Sequence, residues 1–251
     1  NIHQVQPGNF DFIKREISWM QNCNFVSEAE YQIADRQGLV TQDTDGPQKL
    51  AKNSEVRQVI YKILSDYLKE VKRINRITFE ARRICALKEI RTEAKKKYKH
   101  IIVDEAQDLS KTQLEFIKEI YLDTDASSLM FLYDGAQSIY DQAWIGKKRS
   151  FKSVGFDLSG KVRTLTKNFR TTTQISKAAY SLFKSYESIM DDEHFIEPKL
   201  LERHGEFPIF KKFESFMEQC NYVKSLLEGE LSSINRKDIV VIARTTEILK
   251  E

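Results

Sequence analysis

Asp104, Glu105 and Asp108 directly follow the apolar run Ile-Ile-Val at 101–103, and Asp134 and Gln137 follow a second run, Leu-Met-Phe-Leu at 129–132. In an open parallel sheet, ligands bind at the carboxyl ends of the strands, so two such strands would bring both polar sets to one edge. An acidic pair at a strand tip suits hydrolysis of a nucleotide. One carboxylate can hold Mg²⁺, directly or through water, and its neighbour can orient and deprotonate the attacking water. Gln137 on the neighbouring tip can reach a γ-phosphate. An isolated D-E-x-x-D is a weak signal, since an acidic pair after any strand also makes an exposed turn; the matched second cluster strengthens it.

The elements that must position these residues are readable from periodicity. Residues 101–103 form a short β-branched run suited to a strand covered on both faces. Ser110 and Gln113 make a capping-box signal, with Leu114, Ile117, Ile120 and Tyr121 supplying an apolar helix face. Strand, helix and strand in about 35 residues read as one βαβ unit with a right-handed crossover. Upstream, Val56, Val59, Ile60, Ile63, Leu64, Tyr67, Leu68 and Val71 hold a helical rhythm through four turns, after a loop marked by Gly46-Pro47. Ser27 and Glu30 suggest a second capping box. Downstream, strands are expected at 162–165, 207–213 and 239–242. Helices are expected through Ile175, Ala178, Ala179, Leu182 and Phe183, and from Ser215 and Glu218 through Phe216, Val223, Leu226 and Leu227. The fold class is α/β.

Nine glycines and four prolines in 251 residues are few turn formers, which argues against an all-β sandwich and against low-complexity disorder. The longest apolar runs are far too short to span a bilayer, so no membrane partner is expected. Residues 1–11 lack a signal-peptide pattern, and the absence of an initiator Met suggests a chain cut from something longer. Cys23, Cys85 and Cys220 lie far apart with no C-x-x-C pair, which fits a reducing, cytoplasmic setting and gives neither disulfide framework nor zinc site. Nothing indicates an oligomer. The net charge of +3 conceals an asymmetry: residues 69–99 hold twelve bases against four acids, a local +8 that leaves −5 for the rest. Such a stretch can follow a phosphate backbone or can be a solvated helical face.

With these residues in view, a family resemblance becomes specific. Residues 101–108, I-I-V-D-E-A-Q-D, resemble motif II, the Walker B element, of the UvrD/Rep-like superfamily 1 helicases. Asp134-x-x-Gln137-Ser138-Ile139-Tyr140 resembles their motif III, and Leu165-x-x-Asn168-Phe169-Arg170-Thr171 their motif IV. Residues 239–245, I-V-V-I-A-R-T, resemble a strand of the family's second motor domain. The resemblance implies RecA-like, P-loop-NTPase-like parallel sheets behind an N-terminal helical accessory region. The accessory region would span 1–98, where Phe12, Glu16, Ile17, Trp19, Tyr31 and Arg36 match more loosely. The latter part of the first motor domain would span 99–160, and the start of the second 161–251.

The same resemblance implies ATP and Mg²⁺ as cofactors and single-stranded or partly duplex DNA as partner. Asp104 would take Mg²⁺, Glu105 would be the general base, and Gln137 would sense the γ-phosphate and couple it to DNA. Phe169, where the family usually has Tyr, would stack on adenine, and Arg170 would reach the γ-phosphate. Read by themselves, Phe169 also fits a core aromatic and Arg170 a surface ion pair. Tyr140 would lie near the single strand. Trp144 is a candidate stacking residue, out of register with the family's usual Trp, whose place Gln142 takes.

Departures are also present. Tyr133 replaces the Gly that opens motif III, and no G-x-x-x-x-G-K-[ST] precedes Asp104. The run G-F-D-L-S-G-K at 155–161 is followed by Val162, which has no hydroxyl for Mg²⁺, and reads as a turn entering a strand. The favoured expectation is a middle portion of an ATP-driven DNA helicase or translocase, inactive by itself. The rivals are a non-catalytic nucleic-acid-binding or scaffold protein with a helicase-like sheet, and another type of P-loop ATPase.

Overall fold

The computed structural model describes residues 10–25, 27–34, 50–93, 97–138, 140, 142–145, 149–183, 203–243, 248 and 249. The chain divides into two compact units, Asn1–Phe169 with Ala179–Leu201, and Arg170–Ala178 with Glu202–Glu251.

In the first unit, helices α1 (Phe10–Asn22), α2 (Glu28–Ile33), α3 (Glu55–Arg73) and α4 (Phe79–Glu93) precede the sheet. The Ser27 capping box forms as expected. Its hydroxyl oxygen accepts from Glu30 N at 3.3 Å, and Glu30 Oε2 accepts from Ser27 N at 3.1 Å. Helix α3 starts at the N-cap Ser54 and buries Val56, Ile60 and Leu64, one stripe four residues apart, while Val59 and Tyr67 stay exposed. That stripe packs with Ile17, Trp19, Met20, Cys23, Tyr31 and Leu50 in a first core. Burial pushes the Cys23 thiol up to about 12. Inside this core the Tyr31 hydroxyl donates to buried Glu16 Oε1 at 2.7 Å. Arg57, 1% exposed, donates through Nη1 to the carbonyls of Tyr31, Gln32 and Ala34, and through Nη2 to Leu50. One guanidinium thus satisfies the open carbonyl end of α2 and the chain entering α3.

Strand β1 (His100–Val103) pairs in parallel with β2 (Ser128–Phe131), in the register His100↔Ser128 to Val103↔Phe131. Helix α5 (Lys111–Ile120) connects them and starts at the expected Ser110–Gln113 capping box. A second core gathers Ala106, Leu114, Ile145, Phe151, Val154 and Phe156, with Val103, Leu129 and Phe131 packed against it. The two strands are covered on one face only. Ile101, Val103, Leu129 and Phe131 turn inward, whereas Ile102 is 70% and Met130 52% exposed. Alternate residues of a strand face opposite sides, and no described element lies over the second side.

Helix α5 also joins the strand pair to the helical part. Thr112 Oγ1 donates to the carbonyls of Gln21 (3.3 Å) and Asn22 (3.0 Å) at the end of α1. Arg91 of α4 pairs with Glu115 and Glu119 of α5 at 3.3 and 2.9 Å. The basic stretch 69–99 is therefore partly spent on internal pairs. Lys69 meets Asp66, Arg73 meets Glu70, and Arg83 donates to Asn22 Oδ1. Among its described members Lys72, Arg76, Lys88, Lys97 and Lys99 are exposed; Lys95 and Lys96 lie outside the described residues, as do Arg36 and Gly46-Pro47.

The segment 155–161 is a turn. Gly155 has φ +87° and Gly160 φ +70°, and the space a Cβ on Gly155 would need is filled by the Lys118 ammonium. Hydrogen bonding from the Ser159 side chain, and next from Ser159 N to Asp157 Oδ1 at 3.1 Å, holds that carboxyl below its ordinary value. No strand follows the turn.

The second unit is built around helix α7 (Phe216–Glu228) and the start of α6 (Thr173–Phe183). Ser215 Oγ accepts from Glu218 N, but Glu218 reaches back to Glu214 N rather than to Ser215 N, so the reciprocal half of the box is displaced by one residue. The expected strands at 162–165, 207–213 and 239–242 are not strands. Leu165 is 87% exposed, Phe210 93%, and Ile242 87%. These runs have the composition of strands but no hydrogen-bonded partner strand among the described residues, and a strand exists only with a partner.

Candidate nucleotide site at the strand tips

The parallel register places Asp104 and Leu132 at equivalent ends of the two strands, and the backbone knits the tips together. Leu132 N donates to Val103 O at 2.8 Å and Ala106 N donates to Leu132 O at 2.9 Å. Between these bonds the chain makes a sharp turn at Glu105, with φ 51° and ψ 40°. Four non-glycine residues have positive φ among those described; three are asparagines, which tolerate the left-handed region, and the fourth is Glu105. A glutamate is held there only if its surroundings over-determine it, and such strain gathers at functional positions.

Asp104 and Glu105 are both exposed. Asp104 Oδ1 accepts from Glu105 N at 3.0 Å. Asp108 sits behind them in the turn Ala106–Asp108, its Oδ1 buried without a hydrogen-bond partner among the described residues. Burial, and next the charge of Glu105, raise the Asp108 carboxyl above its ordinary value. On the second tip, Gln137 ends the turn Gly135–Gln137 and is exposed; its Nε2 donates to Asp134 Oδ2 at 2.7 Å. Gln107, 1% exposed, joins the two tips. Its Nε2 donates to Glu105 Oε2 at 2.5 Å, and its Oε1 accepts from Asp134 N at 3.0 Å.

Asp104, Glu105 and Gln137 are therefore brought to one sheet edge. Sequence reasoning quoted Gln107 inside the acidic motif without giving it a role. Tyr140 is 52% exposed beside this edge in sequence. Trp144 is half-buried and packed against both cores, its Nε1 donating to Ser153 Oγ at 2.8 Å. Arg149 and Lys111 lie 4.3 and 5.4 Å from its ring centroid. Phe169 is 70% exposed, Arg170 is exposed, and the two are the adjacent residues at which the chain passes from one compact unit to the other.

The donor chemistry fits a hard divalent cation of the Mg²⁺ kind. Such an ion keeps several waters and needs one or two carboxylates plus phosphate oxygens, rather than an all-protein cage. Asp104 offers one such carboxylate, with the exposed Glu105 carboxylate next to it in the chain. Among the described residues no group of three or more His, Cys, Asp or Glu side chains is gathered to hold a metal ion. No described helix is long and apolar enough to cross a membrane.

No curated protein matches the chain. The family model described as UvrD/REP helicase N-terminal domain matches residues 12–146, from α1 through both strand tips to just past Trp144. That span is more than half of the chain and contains the whole acidic edge, so the chain belongs to the UvrD/REP helicase family.

Proposed function

We propose that this chain is part of an ATP-driven DNA helicase or translocase, in which the tips of β1 and β2 hydrolyse ATP and drive movement along single-stranded DNA. The observation that carries this reading is the pair of exposed carboxylates after β1 joined to the Gln137 turn after β2 by one buried amide. Asp104 would hold Mg²⁺, which supplies charge neutralisation on the phosphates when bound. Glu105 takes the proton from the attacking water as its oxygen bonds the γ-phosphorus and the bond to the β-phosphate oxygen breaks. Gln137 orients toward the γ-phosphate. Phe169 stacks on the adenine and Arg170 neutralises charge developing at transfer. Tyr140 and Trp144 contact the single strand.

Residues 1–98 serve as the helical accessory region, 99–160 as the latter part of a RecA-like motor domain, and 161–251 as the start of a second. The scattered thiols suit a reducing cytoplasm. The sequence holds no G-x-x-x-x-G-K-[ST], so the cradle for the β- and γ-phosphates comes from outside these 251 residues. The purified chain should accordingly hydrolyse ATP negligibly, and the polypeptide that joins it to a phosphate loop should show DNA-stimulated turnover. DNA-stimulated turnover by the 251 residues alone, lost in Glu105→Gln, would contradict the need for that loop.

A further inference from the structure

A buried glutamine with both ends of its amide committed to the two strand tips has an assigned orientation. The backbone N–H of Asp134 can only donate, so the atom facing it is Oε1; the Glu105 carboxylate accepts, so the atom facing it is Nε2. Turning the amide over would lose both bonds at once. The chain of contacts continues on each side. Glu105 is fixed in its left-handed turn, and Asp134 Oδ2 holds the Gln137 amide at 2.7 Å. The backbone carbonyl of Gln107 also accepts from Ser138 Oγ at 3.4 Å, just beyond Gln137. The contacts thus run from the Glu105 carboxylate through the Gln107 side chain to the backbone of Asp134, and from the Asp134 carboxylate to Gln137, across the gap between the strands.

We propose that Gln107 is a positioning residue that aims the Glu105 carboxylate and transmits the state of the Gln137 turn to it. This inference rests on the reading of Glu105 as the general base. The charge-assisted bond to Oε2 fixes one carboxylate oxygen and leaves Oε1 for the water. The carboxylate is exposed, and among the described residues the Gln107 amide is the one hydrogen-bond donor that restrains its side-chain rotation. A shift of the 134–137 turn, as phosphate or DNA engages Gln137, pulls on the Asp134 amide and so on the Gln107 carbonyl. The same rigid amide group then moves its nitrogen against Glu105. The acids beside these contacts on the β1 tip, Asp104 and Asp108, offer no amide donor that could replace Gln107.

Two variants separate aiming from packing in the phosphate-loop-containing protein. Gln107→Met keeps the length and removes both bonds. Gln107→Glu keeps an acceptor for Asp134 N and removes the donor to Glu105. Both should lower the DNA-stimulated kcat by roughly tenfold or more while KM for ATP stays within about twofold. Amide exchange at Asp134 should accelerate in the Met variant and remain near wild type in the Glu variant, with Leu132 protected in both as the sign of an intact sheet. A Glu variant with wild-type kcat would overturn the proposal, because a packing role alone would then suffice. Wild-type kcat in both variants would overturn it equally. A wild type without DNA-stimulated turnover would instead overturn the general-base reading, and this inference with it.

Discussion

Residues 100–103 and 239–242 read almost alike: His-Ile-Ile-Val and Ile-Val-Val-Ile, each short and β-branched. The first is a strand in parallel register with 128–131, and the second is extended chain with Val240 76% and Ile242 87% exposed. The difference lies in what the rest of the unit supplies. In the first unit α5 and the turn 151–154 cover one side of the strand pair, and all the buried apolar side chains described lie between Ile17 and Phe156. In the second unit the one buried residue described is Ser176. β-propensity expresses how well a side chain fits a half-covered pleated surface, so without a neighbouring strand and a covering layer it has nothing to act on. Chemistry follows the same division. The acidic edge is held by backbone bonds between two tips, whereas Phe169 and Arg170 stand where the chain leaves one unit for the other.

Core truncations should expose this contrast most strongly. Leu114→Ala, at a position with 0% exposure in the second core, should cost about 2–5 kcal/mol and lower the urea midpoint of the first unit. Ile242→Ala should stay within about 0.5 kcal/mol. Similar losses at the two sites would show that 239–242 is packed in solution and would break the comparison.

Asp108 gives a smaller effect with a definite sign. Its carboxyl is raised in the folded state, so between its ordinary value and the raised one the native state binds more protons than the unfolded chain. Its ionisation therefore opposes folding as pH rises through that window, and its buried Oδ1 gains no partner in exchange. Asp108→Asn should raise the urea midpoint at neutral pH, with the gain shrinking below the ordinary carboxylate range. A midpoint difference that grows on acidification would contradict this assignment.

The smallest structural effect is expected on the exposed bases, where the contrast is between paired and solvated charge in the same stretch of chain. Replacing Lys72, Arg76 and Lys88 with Gln should leave stability unchanged. If the stretch follows a nucleic-acid backbone, each lost contact lowers the slope of log K against log [salt] by about 0.7 for a single strand or 0.9 for a duplex. Arg91→Gln, which breaks the pairs with Glu115 and Glu119, should alter stability slightly and leave the slope alone. An unchanged slope in the triple variant assigns the stretch to a solvated face.

What was legible in the sequence was what depends on residues three or four apart. The Ser27 and Ser110 boxes and the stripe of α3 are local devices, and they form where expected. The 101–103 and 129–132 runs were readable as a parallel pair because a capped amphipathic helix joins them at crossover length. Coverage of only one face was not readable, since Ile102 and Met130 are as apolar as residues that pack. Strands at 162–165, 207–213 and 239–242 failed for the same reason: partners are remote in sequence. The acidic edge was legible by residue type. Gln107 was not, because a hydrogen bond from a buried amide to a carboxylate two residues earlier requires the left-handed turn at Glu105, which a non-glycine sequence does not announce.

Glu105→Gln tests the central claim most directly. In the protein with its phosphate loop, the substitution keeps the shape of the turn and removes the base. Nucleotide binding measured by titration should remain near wild type, while DNA-stimulated turnover should fall by about 100-fold or more. Equal loss of binding and turnover would assign Glu105 a structural role, and retained turnover would remove the base from this edge altogether.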